Sequence, residues 1–232
     1  MEIKGSVALV TGANRGIGRE FARALLDRGA AKVYAAVRDP ASVADPGLVP
    51  LRLDVTDHEQ VAAAAAAAGD VSIVINNAGI GGSGSTLLEG GFDGARQAME
   101  VNYFGTWAVS RAFAPVLARN GGGALVNMLS LVSWVGRPDF PGYAASKAAQ
   151  WSLTNALRQG LHAQGTLVVG VHAGFVDTDL SSWTDAPKIS AATVAELTMD
   201  ALENDRLEVL ADAETRKVKA GLSLPPNVVP AI

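Results

Sequence analysis

Cysteine is absent from the 232 residues, which excludes disulfides, thiolate nucleophiles and Cys-ligated zinc or iron–sulfur centres. Histidine is scarce: His58, His162 and His172 lie far apart and outside any metal-ligand spacing, so no metal role is expected. Positive charge is in deficit, Lys+Arg 19 against Asp+Glu 23, and the net charge of −4 offers no overall field for nucleic acid or an anionic bilayer. No apolar run approaches the ~18 residues that span a bilayer, and Met1-Glu2-Ile3-Lys4-Gly5-Ser6 shows no charged n-region or cleavage pattern. The expectation is a cytoplasmic protein with a small-molecule substrate and neither a nucleic-acid nor a membrane partner. Charged residues make up only 18% and hydrophobic ones 49%, which excludes disorder over most of the length.

What is present is a regular alternation. Short runs of Val, Ile, Leu and Ala at 7–10, 33–37, 51–53, 71–75, 124–129, 167–171 and 207–210 are continuously apolar, as strands buried on both faces are. Segments of helical spacing lie between them, at 18–28, 57–68, 94–119, 143–163 and 191–203. The alternation predicts right-handed crossovers and one doubly wound α/β domain over 1–232. Its sheet is seven-stranded and mainly parallel, flanked by helices on both faces, with ligands bound outside the carboxyl ends of the strands. The alanine tract 62–68 reads as an ordinary helix, because Thr56-Asp57-His58-Glu59 supplies a cap and an acidic first turn. Gly81-Gly82-Ser83-Gly84-Ser85, Gly121-Gly122-Gly123 and Pro225-Pro226 read as turns or tail, not as interdomain linkers.

Directly after the first strand, Thr11-Gly12-Ala13-Asn14-Arg15-Gly16-Ile17-Gly18 opens a helix. Such a loop lets the backbone approach a pyrophosphate, whose charge the free N–H groups and the helix dipole attract; taken alone it is equally a tight strand–helix turn. The second strand ends Ala35-Ala36-Val37-Arg38 and carries no carboxylate where a ribose 2′-hydroxyl would be held. Arg15 and Arg38 together suit a 2′-phosphate, and hence NADPH over NADH, unless a one-residue shift makes Asp39 the ribose ligand. Tyr143 and Lys147 are four apart in a helical segment, so they share a face and the ammonium acts on the phenol.

Gly12, Gly16 and Gly18 in this spacing, Asn76-Asn77-Ala78-Gly79, Asn102, Ser130 and Tyr143-Ala144-Ala145-Ser146-Lys147 follow one another in an order that resembles the classical short-chain dehydrogenase/reductase family, over about 7–178. The resemblance implies carbonyl reduction, reversible in principle. Tyr143 is then the acid, Ser130 the donor to the substrate oxygen with Ser133 as rival hydroxyl, and Lys147 a ligand of the nicotinamide ribose. Asn102 holds a water that links Lys147 to solvent. It also implies cofactor contacts from Gly12, Asn14, Arg15, Gly16, Ile17 and Gly18, and from Arg38. Asp54-Val55 serves the adenine, although Asp54 could instead cap the next helix. Asn76, Ala78 and Gly79 back the adenine ribose, although the Asn residues could be turn formers. Gly174, Val176 and Thr178 lie beside the nicotinamide carboxamide. There the family usually has Pro-Gly; this chain has Ala173-Gly174, and His172 before it reads as structural.

The segment 180–190 stands where the family carries a substrate lid, and it is short. Trp183, with Leu131, Trp134, Phe140 and Phe175, is expected to wall a pocket for an apolar or cyclic ketone; Trp134 is as readily a core or contact aromatic. By resemblance the segments 94–119 and 143–163 pair across a homodimer or homotetramer, with Trp107, Phe113 and Trp151 on the face. A 3-oxoacyl thioester reductase is the rival enzyme, and a non-catalytic NADPH-binding regulator the rival of another class.

Overall fold

The computed structural model describes residues 1–82 and 85–225; Ser83, Gly84 and Pro226 of the turns above lie outside them. In chain order, the first half comprises β1 Val7–Thr11, α1 Gly16–Asp27, β2 Lys32–Val37, β3 Leu48–Arg52, α2 His58–Ala67, β4 Ile73–Asn76, α3 Asp93–Ala98, α4 Thr106–Arg119 and β5 Ala124–Met128. The second half comprises α5 Pro141–Gly160, β6 Leu167–His172, β7 Val176–Asp177, β8 Ile189–Ser190, α6 Ala191–Glu203, β9 Glu208–Leu210 and α7 Ala213–Gly221.

The main sheet is seven-stranded, in the order β3-β2-β1-β4-β5-β6-β9, with every neighbouring pair parallel. Because side chains alternate across a strand, each apolar run feeds two cores. Ala8, Val10, Ile73 and Ile75 pack with Phe21, Leu25, Met199 and Leu202, beneath α1 and α6. Leu9, Val74 and Leu125 pack with Val61, Val109, Phe113 and Leu117, beneath α2 and α4. Phe113 is fully buried there, so it does not belong to an outer pairing face: its i±4 neighbours on α4 point it at the sheet. Trp107 and Phe104 remain exposed.

The alanine tract is helical, capped by Asp57, whose Oδ1 accepts from Glu59 N and Gln60 N. The predicted helix 94–119 is one rod with an inserted π segment, Met99–Gly105. Gly105 is required at its end, since a Cβ there would stand 2.6 Å from Val55 Cγ2. The small pair β7–β8 was not legible as strands; it pins both ends of the segment 178–188, and Ile189 N donates to Phe175 O at 3.0 Å. Among the described residues no helix is long and apolar enough to cross a membrane, and no group of His, Cys, Asp and Glu has metal-ligating geometry.

Candidate active site

The strand order reverses between β1 and β4, and the loops leaving their carboxyl ends diverge there to open a crevice. Thr11, the last residue of β1, ties the two loops together: its hydroxyl accepts from Asn77 N and Ala78 N, both at 2.9 Å, and Asn77 Nδ2 donates to Thr11 O at 3.0 Å. The glycines of the first loop have separate duties. Gly12 and Gly16 sit at φ +67° and +53°, where a side chain is strained, while a Cβ on Gly18 would collide with the carbonyl oxygen of Gly12. No side chain caps α1 at Arg15, so its first-turn N–H groups face the crevice unpaired by a cap.

The crevice is a cleft of about 1640 Å³. Gly12, Asn14, Arg15, Gly16 and Ile17 line one end, with Arg38 and Asp39 from the end of β2 and Asp54-Val55 after β3. Ala78 and Gly79 form part of the floor. Ser130, Tyr143 and Lys147 line the other end with Gly174, while Thr178, further along after β6, comes back beside Gly16 of the glycine loop. Leu131, Phe140, Phe175 and Trp183 complete that wall, and Trp183 meets Phe175 and Phe140 edge-on, with ring centroids 5.7 and 6.1 Å apart.

Four expected contributors lie behind the wall. Gly18 sits beneath the loop, for the packing reason given. Asn76 is buried, its Nδ2 donating to Ser110 Oγ (3.0 Å) and Asn127 Oδ1 (2.9 Å), while its Oδ1 has no partner among the described residues. Trp134 points away from the cleft and stacks on His172 with centroids 3.9 Å apart. Asn102, within the π segment, spends its amide on Ile80 N, Ile80 O and Ser146 Oγ, each at 2.9 Å.

Asp54 does not cap α2; its Oδ1 accepts from Thr56 N and Thr56 Oγ1 in a local turn. Asp39 Oδ1 accepts from Ala41 N. Arg15 Nη1 meets Asp179 Oδ2 at 2.8 Å across the cleft mouth, both side chains well exposed.

Burial dominates the electrostatics at the other end. Tyr143 has its pKa raised by desolvation, and the Ser130 hydroxyl pulls against that without reversing it. Lys147 is pushed down to about 7 by the same cause. Its ammonium donates to Met128 O and to Gln150 Oε1, both at 2.8 Å, and lies 5.9 Å from the centre of the Tyr143 ring. Displaced titratable groups that share a cleft make Tyr143 and Lys147 candidates for the reacting pair.

The family model described as short chain dehydrogenase matches residues 6–188. The chain belongs to the short-chain dehydrogenase/reductase family. A short chain dehydrogenase from Burkholderia cenocepacia J2315, solved in complex with NADP, is 41% identical with a TM-score of 0.93, covering 98% of this chain and 96% of that one. A family member from Burkholderia phymatum, solved in complex with NAD, is 26% identical with a TM-score of 0.85, over 100% and 99%. The 1-deoxy-11-beta-hydroxypentalenate dehydrogenase of Streptomyces exfoliatus is 33% identical over 93% of this chain and 86% of its own length.

In this short-chain dehydrogenase the sequence reading overlooked Gln150 and Ser146, which hold Lys147 and Asn102, and Asp179, which holds Arg15. Gln150 had a signal: it follows Lys147 by three residues on the same helix face. Asp179 had none, since its partner is 164 residues away.

Proposed function

We propose that the protein reduces a ketone or aldehyde to an alcohol, reversibly, with NADPH preferred over NADH, acting in the cytoplasm. The observation that carries this reading is the convergence of Ser130, Tyr143 and Lys147 on one wall of a cleft whose far end is the glycine loop. The cleft fits the dinucleotide by its own geometry. Gly12 and Gly16 leave room for close backbone approach, the uncapped start of α1 suits a pyrophosphate, and Arg15 and Arg38 line the end where a 2′-phosphate would lie. When bound, the nicotinamide supplies the hydride.

The chain's residues manage the oxygen. Tyr143, kept protonated by burial, gives its phenolic proton to the developing alkoxide. Ser130 donates a hydrogen bond to the same oxygen. Lys147 stands behind the phenol, held by Met128 O and Gln150, and its charge lowers the cost of the phenolate that is left. Asn102 keeps the Ile80 backbone in place beside them and buttresses Ser146 on the turn between Tyr143 and Lys147.

Phe140, Phe175 and Trp183 favour an apolar or cyclic substrate, with the segment 180–190 as a short lid. The exposed Phe104 and Trp107 favour a homodimer or homotetramer, which light scattering would read as twice or four times the chain mass.

The test is loss of reduced-nicotinamide absorbance with NADPH and NADH in parallel, against cyclic, aromatic and aliphatic ketones, aldehydes and a 3-oxoacyl thioester. Tyr143→Phe should lower kcat by about 10²–10⁴-fold while NADPH binding stays unchanged. Full turnover in that variant refutes the assigned acid. NADPH binding without consumption of any panel member favours the regulator instead.

A further inference from the structure

β6 ends on His172, buried to 1% exposure directly behind the wall that carries Ser130. Its Nδ1 lies 3.1 Å from the Ser130 carbonyl oxygen. A carbonyl only accepts, so Nδ1 carries the hydrogen, and a pKa held down to about 4 by burial leaves Nε2 bare at neutral pH. The surroundings fix the ring in that orientation. Trp134 stacks on one face at 3.9 Å, interplanar angle 21°. Glu208 Oε1, on β9, lies 3.8 Å from Nε2 and is itself held by Lys219 Nζ at 2.8 Å, and Lys219 Nζ lies 4.8 Å from the centre of the Trp134 ring. Burial holds the imidazole's pKa down to about 4, with Lys219 and Lys147 adding to the effect and Glu208 opposing it.

Apart from the contact of its hydroxyl with Tyr143, the other bonds of Ser130 stay on the same two segments. Its N–H donates to Ser133 Oγ, its carbonyl also accepts from Ser133 N at 3.0 Å, and its hydroxyl donates to Ala173 O at 3.3 Å. Ala173 is the residue after His172. Leu129 N and Leu131 N donate to Val171 O and Ala173 O at 2.7 and 2.9 Å, so β6 already holds the neighbours of Ser130, and the His172 bond adds the hold on the Ser130 carbonyl itself.

We infer that His172 is a positioning residue for Ser130: its Nδ1–H clamps the Ser130 carbonyl and so sets where the Ser130 hydroxyl is presented to a substrate oxygen. This rests on the reading of Ser130 given above. A displacement of even one ångström at a donor of this kind costs up to about a hundredfold in rate.

The test uses His172→Leu, which keeps the bulk and deletes the donor, His172→Asn, whose Nδ2–H reproduces Nδ1–H, and His172→Gln, whose amide falls at the Nε2 position. The best ketone of the panel and NADPH are the probes. His172→Leu and His172→Gln should lower kcat about tenfold or more with the KM for NADPH within about twofold of the parent, and His172→Asn should recover most of the loss. Placed in a Ser130→Ala background, His172→Leu should cost nothing further. Nitrogen-15 NMR of the parent imidazole should show a neutral ring protonated on Nδ1. An equal loss on top of Ser130→Ala, an unchanged kcat in His172→Gln, or a ring protonated on Nε2 overturns the inference. If His172→Leu does not fold, the Asn and Gln pair decides alone. Full activity of Ser130→Ala by itself marks failure of the site reading instead.

Discussion

The two ends of the cleft are built on different principles. Behind Lys147 runs a buried polar chain. Asn76 bonds Ser110 and Asn127, Asn127 bonds Thr154, and Gln150 bonds both Thr106 and Lys147. Thr106 in turn donates to the Asn102 carbonyl at 2.8 Å. At the other end Arg15 and Asp179 meet in open solvent, and Arg38 has no ion pair among the described residues. A buried network is costly to leave half-satisfied, whereas exposed pairs are worth about 0–1 kcal/mol. The proton-handling end is thus pre-set by folding, and the end that reads the adenosine moiety is free to be retuned by single surface changes.

Gln150→Leu is the harshest way to break this contrast. It strips a partner from Lys147 and from Thr106, each loss costing about 1–3 kcal/mol. A drop in melting temperature of roughly 5–15 °C should follow, together with lost turnover; a melting point within 2–4 °C of the parent (about 1 kcal/mol) would show the network to be expendable.

Acid should act at the same end. His172 titrates at about 4 when folded and near 6.5 when free, so between those values the unfolded chain holds the extra proton and stability falls as pH falls. The loss is on the order of 3 kcal/mol over that window. Urea midpoints at pH 6.5 and 4.5 should differ more in the parent than in His172→Asn. Lys147, at about 7, should lose its charge as pH rises, so kcat/KM for reduction should decline above neutrality.

The exposed end should respond more gently. Arg15→Ala and Arg38→Ala should each reduce the NADPH over NADH preference in kcat/KM by about tenfold, in line with ~1.5–3 kcal/mol for a charged hydrogen bond less solvent screening. Asp179→Asn, which frees Arg15, should lower the KM for NADPH by a few-fold at most. A larger gain would mean that the ion pair is not the weak surface contact its exposure implies.

The same division decided what could be read from the sequence. The five inner strands were legible because each is buried on both faces, and the glycine loop and the Tyr143–Lys147 pair because their chemistry is local; the edge strand β3, with Val49, Pro50 and Arg52 exposed, begins three residues before the apolar run read at 51–53. What escaped depends on distant partners. Nothing near Asn76 tells that it will turn inward to Asn127, 51 residues on, and nothing near Trp134 tells that His172 will claim its ring. The π segment escaped for a related reason: the helical spacing of 94–119 is continuous, and Gly105, which ends the segment, meets Val55 from a distant part of the chain.

The bond from Asn77 N to the Thr11 hydroxyl also bears on how the chain comes into being. Its ends are 66 residues apart, and β1 sits between β2 and β4, so the partner that completes the centre of the sheet arrives long after the strand it must join. Until then a growing chain presents β1 as an open, apolar edge, which invites pairing with other chains. Closing a contact of that span is slow compared with forming the helices beside it. The centre of the sheet accordingly closes only once β4 has been made, and nascent or truncated chains that stop short of β4 should aggregate where the complete chain does not.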